Sequence, residues 1–143
     1  MKINQISIFL ENRTGQLAEI TSLLAKNEIN LRAISIAETA DYGVLRIIAD
    51  DAEKATNILL ANGNIISKTP VTVVAVPDKP AGLSEVLALL AEGEVAIEYM
   101  YSLFTHQNDK AYMVFRIVDE EKFLSLLASH GLSDVSAEEL GLK

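Results

Sequence analysis

Residues 11–25 read ENRTGQLAEITSLLA, and residues 77–91 read PDKPAGLSEVLALLA. Each opens on a polar, turn-forming cluster and then becomes an amphipathic run. In the first, Leu17, Ile20 and Leu24 recur at helical spacing, with Leu23 widening the stripe; in the second, Leu83, Val86 and Leu90 do so. A strand precedes the first cluster, because Ile6, Ile8 and Leu10 alternate with Gln5, Ser7 and Phe9. One chain of 143 residues thus builds the same strand–loop–helix junction twice.

The repeat extends beyond the junction. An offset of 66 positions (Leu83 minus Leu17) sets Glu19 on Glu85, Ile20 on Val86, and Ile29-Asn30-Leu31 on Val95-Ala96-Ile97. An offset of 70 sets VLRII (Val44 to Ile48) on VFRIV (Val114 to Val118), and an offset of 68 sets EKATNILLANG on EKFLSLLASHG. The changing offsets place length differences in a hairpin and in the turn after it, where loops tolerate them. The chain therefore reads as a duplicated domain, residues 1–69 and 70–143, joined near Lys68-Thr69-Pro70.

Within the first unit, Ile29 to Ala37 is β-rich, ETADYG forms a hairpin turn, and Val44 to Ala49 forms the next strand. Ala55, Ile58 and Leu59 mark a second helix that stops at Asn62-Gly63, and a short strand begins near Ile65. The order is βαββαβ. The second unit repeats it, with helices near Leu83 to Ala91 and Glu121 to Ser129, a brief closing strand near Asp134 to Ser136, and a final turn capped by Ser136. The expected class is α+β: two ferredoxin-like units whose antiparallel sheets pair side by side, with the helices on one face.

Composition excludes several functions. Half the residues are hydrophobic and 22% are charged, which is a globular balance. The net charge of −8 repels polyanions, so nucleic acid is not an expected partner. No apolar run approaches the ~20 residues that span a bilayer, so no membrane partner is expected. The start, Met1-Lys2-Ile3-Asn4, shows no signal-peptide pattern, and a cytoplasmic location is the default expectation. With no cysteine and only two histidines, neither a thiolate nucleophile nor a structural metal site is expected. No phosphate-binding or dinucleotide fingerprint is present. His106 falls in the hairpin HQNDK and His130 at a helix end beside Gly131; neither has a nucleophile or an orienting carboxylate nearby in sequence. The reading is a non-enzyme with no cofactor.

The junctions hold the chemistry that remains. At Asn12-Arg13-Thr14-Gly15-Gln16-Leu17 a strand ends and a helix begins, and the first helical N–H groups have no partner inside the helix. They favour negative charge, so a carboxylate can sit there. Gly15, lacking Cβ, permits close approach of a guest. The same residues also read as purely structural, with Asn12 or Thr14 capping the helix and Gly15 serving the turn.

The stretch NRTGQLAEITSLLAKNEINLRAISIAE, followed by GVLRII, resembles an ACT domain, whose hallmark is a strand, an Asn-x-Pro-Gly-x-Leu-like loop, a helix and an Ile-Asn-Ile-like strand. The resemblance covers essentially the whole chain as two successive units. Thr14 stands where the family often has proline. In the second unit DKPAGL keeps Pro80, but the glycine is displaced to Gly82 and Ala81 aligns with Gly15. The resemblance implies small-molecule sensing, most often of a free amino acid, with the ligand between paired units near the first loop of one and the second strand of the other. It implies polar contacts from Asn12 and Asn30, with Arg13, Thr14, Gly15, Gln16, Leu17 and Leu31 around them. The matching second set is Asp78, Lys79, Pro80, Ala81, Gly82, Leu83, Ala96 and Ile97. Asp78 and Ala96 replace the two asparagines, so the junctions are not chemically equivalent. Asp78 reads equally as a partner for an ammonium group or as a helix cap.

Two alternatives stand beside this reading: a structural or oligomerisation module without ligand, and a subunit that regulates a partner enzyme of amino-acid metabolism. A homodimer or larger oligomer is expected through the sheet face opposite the helices. That face carries Phe9, Val44, Ile48, Val73, Ala75, Val114 and Val118 among Gln5, Ser7, Arg46 and Arg116. Arg46 and Arg116 recur in the third strands and read as structural. Tyr99 and Tyr101 read as core or interface packing.

Overall fold

The computed structural model describes residues 2–11, 13–38 and 41–143. The elements are β1 (Ile3–Glu11), α1 (Gln16–Lys26), β2 (Leu31–Glu38), β3 (Tyr42–Ala49), α2 (Ala52–Ala61), β4 (Ile66–Pro77), α3 (Gly82–Glu92), β5 (Ile97–Gln107), β6 (Lys110–Ile117) and α4 (Glu120–Ser129), with a 3₁₀ turn at Glu138–Leu140. The pattern is βαββαβ repeated. β4 ends the first pass and opens the second, so the joint at Lys68-Thr69-Pro70 lies inside a strand. Two compact units result. The N-terminal unit is Asn4–Pro70 with Gly141–Lys143; the C-terminal unit is Val71–Leu140 with the residues up to Ile3. Among the described residues no helix is long and apolar enough to cross a membrane.

In the N-terminal unit β3 pairs antiparallel with both β1 and β2. Ile6, Ile8 and Leu10 of β1 and Leu45, Ile47 and Ala49 of β3 share one face, because side chains alternate along a strand. Ile20 and Leu24 of α1 and Ala55 and Leu59 of α2 close over that face, and all these residues are buried. Each fully buried leucine or isoleucine contributes about 1.5–3 kcal/mol. Asp51 caps α2, its carboxylate accepting from the Lys54 N–H at 3.1 Å. The hairpin residues Thr39 and Ala40 lie outside the described residues.

The C-terminal unit repeats the design. β6 pairs antiparallel with β4 and β5, and α3 and α4 cover Val74, Val76, Phe115 and Ile117. Phe115 and Phe123 meet edge to face at 5.5 Å. Asn108 and Asp109, at φ 51° and 58°, make the two-residue turn between β5 and β6. His106 is therefore a strand residue, opposite Ala111. The closing strand shrinks to one bridge, Val74 with Asp134, since polar Asp134 and Ser136 flank the single β-branched Val135. Ser136 caps the 3₁₀ turn, accepting from the Glu139 N–H at 3.2 Å.

Register corrects two expectations. Ile8 lies opposite Leu45, and its counterpart Val74 (8 + 66) lies opposite Met113. Leu45 therefore matches Met113 at an offset of 68, not 70. The sequence likeness of VLRII and VFRIV is offset by two residues from the structural match. Arg46 corresponds to Val114, and Arg116 to Ile48, so the two arginines are not equivalent. A single two-residue insertion, in the β5–β6 hairpin, accounts for all the later offsets. The second correction concerns the sheet face opposite the helices. Gln5, Ile48, Val73 and Val114 are at most 1% exposed within the chain, so that face is not open to a partner at those residues. Phe9, 40% exposed and stacked on Tyr42 at 5.3 Å, is accessible.

The helix ends differ in kind. Gly63 and Gly131 follow α2 and α4 at φ 81° and 71°, whereas Glu28 and Glu94 take the same left-handed conformation after α1 and α3, at φ 58° and 55°. A left-handed residue with a Cβ costs about 1–2 kcal/mol, part of which glycine's greater freedom in the unfolded chain offsets. Glu28→Gly and Glu94→Gly should each raise stability in urea titration by about 0.5–1 kcal/mol. Gly63→Ala should lower it by a similar amount.

Candidate functional site

At the first junction, Gly15 is the N-cap residue of α1, with φ 89°. Gly15 has no side chain to offer as a cap, and Thr14 is not the N-cap residue expected for this helix start. Asn12 itself lies outside the described residues. A Cβ built on Gly15 would meet nothing within 4 Å, so the space above it is open. Gln16 turns back, its Oε1 accepting from the Glu11 N–H at 2.9 Å. Leu17 packs against the core beside Ile20 and Leu24.

A cleft of about 190 Å³ adjoins this helix start. Gly15, Gln16 and Leu17 line it from the helix, Leu10 and Glu11 from β1, and Ile36 and Glu38 from β2. Tyr42 and Gly43 of β3 and the loop residue Arg13 complete it. β2 and β1 both run antiparallel to β3 and so run parallel to each other, which returns the end of β2 to the loop that follows β1. That topology explains Ile36, Glu38, Tyr42 and Gly43, which sequence reasoning missed; the βαββ order held the signal, since a single helix between β1 and β2 lets the two strands run parallel. A shallower groove of about 620 Å³ lies along α1 toward Asn62-Gly63-Asn64 and shares Glu11, Arg13 and Gln16 with the cleft.

Arg13 is committed. Its Nη1 and Nη2 donate to the two carboxylate oxygens of Glu19 at 3.0 and 3.1 Å, and Glu11 stands 3.9 Å from its Nε. The hydrogen bonds with Glu19, and then its charge, raise the guanidinium's pKa, and the same contacts lower the carboxyl's. The sequence contained this pair six residues apart, but only the left-handed turn at Gly15 folds the loop back onto the helix.

Asn30 and Leu31 lie at the other end of the unit. The Asn30 N–H donates to Asp50 Oδ1 at 3.1 Å, and its carbonyl accepts from the Asp50 N–H at 2.9 Å. From Asn30 to Glu38 the strand advances about 26 Å at roughly 3.3 Å per residue. The unit does not bring Asn30 to its own Gly15.

The second junction is closed. The Asp78 N–H donates to the Asp109 carbonyl at 2.8 Å, the Lys79 N–H to Pro77 and the Gly82 N–H to Lys79, both at 2.9 Å. Gly82 is buried, and a Cβ there would sit 1.8 Å from the Pro77 carbonyl oxygen. Its glycine thus serves backbone contact. Ala81 is the N-cap residue, so Asp78 does not cap α3; its carboxylate lies 3.4 Å from His106 Nδ1. Lys79 and Pro80 are exposed, Leu83 is half-buried, Ile97 is half-buried against the core, and Ala96 is exposed before β5. His130 caps α4, its Nδ1 3.2 Å from the Leu126 carbonyl. Among the described residues no group of three or more His, Cys, Asp or Glu could hold a metal.

The lowered pKa of Glu19 makes the Arg13 pair acid-labile. Its contribution is present above the unfolded carboxyl's pKa and is lost as pH falls through the lowered folded value. An NMR titration of Glu19 should give a midpoint below that of a free glutamate, and Arg13→Gln should return it to the ordinary range.

The family model for an ACT domain pair matches residues 1–142. Protein BT0572 from Bacteroides thetaiotaomicron is 40% identical with a TM-score of 0.89, over 99% of this chain and 96% of that one. The ligand-free regulatory subunit of aspartate kinase from Thermus thermophilus shares the fold at 18% identity and a TM-score of 0.64, over 90% of this chain and 93% of that one. The regulatory subunit from Thermus flavus is alike at 18% and 0.58, over 92% of each chain. No curated protein matches the chain. With the family model spanning nearly every residue and the βαββαβ order present twice, the chain belongs to the ACT domain pair family.

Proposed function

We propose that the chain is an amino-acid-binding regulatory protein without catalytic activity, and that the ligand sits in the cleft beside Gly15. One contrast carries this reading. α2 and α4 are capped by Asp51 and Asp119, each accepting from an N–H at 3.1 Å, while among the described residues neither α1 nor α3 has a side-chain cap, and of these two starts the one of α1 adjoins an open cleft. A side-chain cap stabilises a helix by about 0.5–2 kcal/mol. Leaving it off where a cleft opens suits a ligand carboxylate that takes its place. Leu10, Leu17 and Ile36 offer an apolar wall, and Glu11 and Glu38 offer partners for an ammonium group. The closed second junction favours the first as the working site.

What the family resemblance implies is a ligand between paired units. Asn30 is too far along β2 to reach the cleft of its own unit, so in this reading a second copy of the chain supplies it. The protein then acts as a homodimer, and sedimentation equilibrium at micromolar concentration should give twice the chain mass. The regulatory subunits of aspartate kinase, whose chains match over nearly their full length, favour a second reading: a subunit that regulates a separate enzyme of amino-acid metabolism.

A thermal-shift screen against the twenty amino acids tests the proposal. A ligand at a hundred times its Kd adds about 2.7 kcal/mol of stability. Asn12→Ala and Asn30→Ala should each weaken binding by about tenfold to a hundredfold, the worth of one hydrogen bond to a charged group, roughly 1.5–3 kcal/mol. Their circular dichroism should be unchanged. A screen in which no amino acid raises the melting temperature would leave a purely structural module.

A further inference from the structure

Both second strands begin with a bulge. The register shifts between Leu31 and Ala33 in β2 and between Ile97 and Tyr99 in β5, so the extra residues are Arg32 and Glu98. These correspond at the offset of 66 (98 − 32). A bulge re-aims the side chain it inserts. Glu98 finds a partner in its own unit, its Oε2 lying 3.3 Å from Arg116 Nε. The structural counterpart of Arg116 in the N-terminal unit is Ile48 (116 − 68), which is buried and apolar. Arg32 therefore occupies the acid's place, and no described residue stands to it as Arg116 stands to Glu98. Its Nε is shielded from solvent and has no hydrogen-bond partner, and among the described residues Arg32 forms no ion pair.

A shielded donor left unbonded is costly, more so on a charged group, and each such case calls for a partner. The chain holds 20 aspartates and glutamates against 12 lysines and arginines, yet among the described residues none pairs with this guanidinium. The arginine of the first loop is not a substitute, since Glu19 holds both of its terminal nitrogens. Arg32 stands two residues after Asn30, at the start of the strand that the proposed site takes from the second copy.

We propose that Arg32 of the second copy anchors the same ligand carboxylate that the start of α1 accepts, so that the bulge at the start of β2, rather than Arg13, selects for an acid. A guanidinium holds a carboxylate by two parallel hydrogen bonds, which a carboxamide cannot match. This inference rests on the amino-acid reading above.

Calorimetry with each amino acid that is active in the thermal screen, and with its carboxamide, tests it. The wild-type protein should bind the carboxamide about tenfold or more weaker than the acid. Arg32→Gln should weaken the acid to a similar degree and bring the ratio of acid to amide affinity toward one. Arg32→Lys, which keeps the charge but not the fork, should retain part of that ratio. Without ligand, Arg32→Gln should melt no lower than the wild type, because no internal partner is lost. Unchanged affinity in Arg32→Gln, or an unchanged acid-to-amide ratio in either variant, overturns the role of Arg32 and leaves the amino-acid reading standing. Absence of any amino-acid binding to the wild type overturns both.

Discussion

Ile6 and Ile8 of β1 lie opposite Ile47 and Leu45 of β3, and α1 and α2 close over the face these residues share. A slip of one residue would turn every one of those side chains to the other face, so the pairing is held firmly. The rest of the N-terminal unit is placed by it. β1 ends where α1 must turn back over the sheet, which puts Gly15 at one rim. β2 pairs with the far edge of β3, which brings Ile36 and Glu38 to that rim and leaves Asn30 and Arg32 at the opposite one. The cleft and the bulge are thus consequences of a register chosen by burial.

The two units reuse this frame with different chemistry at equivalent points. Gly15 adopts a left-handed φ under open space, while Gly82 lies against the Pro77 carbonyl. In the first unit the loop is folded by an ion pair between Arg13 and Glu19; in the second, a backbone hydrogen bond from Asp78 to Asp109 links the loop to the β5–β6 hairpin. The bulge residue is a base in one unit and an acid in the other. Where the acid stands, an arginine answers it; where the base stands, an isoleucine does not. Duplication has preserved the apolar positions that hold the fold and allowed the polar ones to diverge.

Part of the cleft was legible in the residues. The polar cluster before an amphipathic run located the junction, and of the residues that the ACT resemblance implied, Gly15 lines the cleft while Asn30 lies at the other end of the unit. The cleft's remaining walls were not legible, because Ile36, Glu38, Tyr42 and Gly43 are separated from Gly15 by about 20 to 30 residues and approach it only through strand pairing. Arg13 was expected among the residues around the ligand, and its engagement by Glu19 depends on a backbone turn that residue types alone do not specify. Arg32 drew no notice, since an arginine in a strand has no meaning until its neighbours are known.

Period and punctuation in the sequence determined the element order, the helix stops at Asn62-Gly63 and the existence of two like units, because apolar spacing and glycine act locally. Tertiary structure decided what depends on partners distant along the chain. It merged the closing strand of one unit with the opening strand of the next into β4, and reduced the last strand to the bridge at Asp134. It also set VLRII and VFRIV two residues out of structural match, though they read as copies. A pair of similar strands can be aligned in any even register without changing which residues face the core. Only the hydrogen-bonded neighbours choose among those registers, and that choice separated Arg46 from Arg116 and left Arg32 without a partner among the described residues.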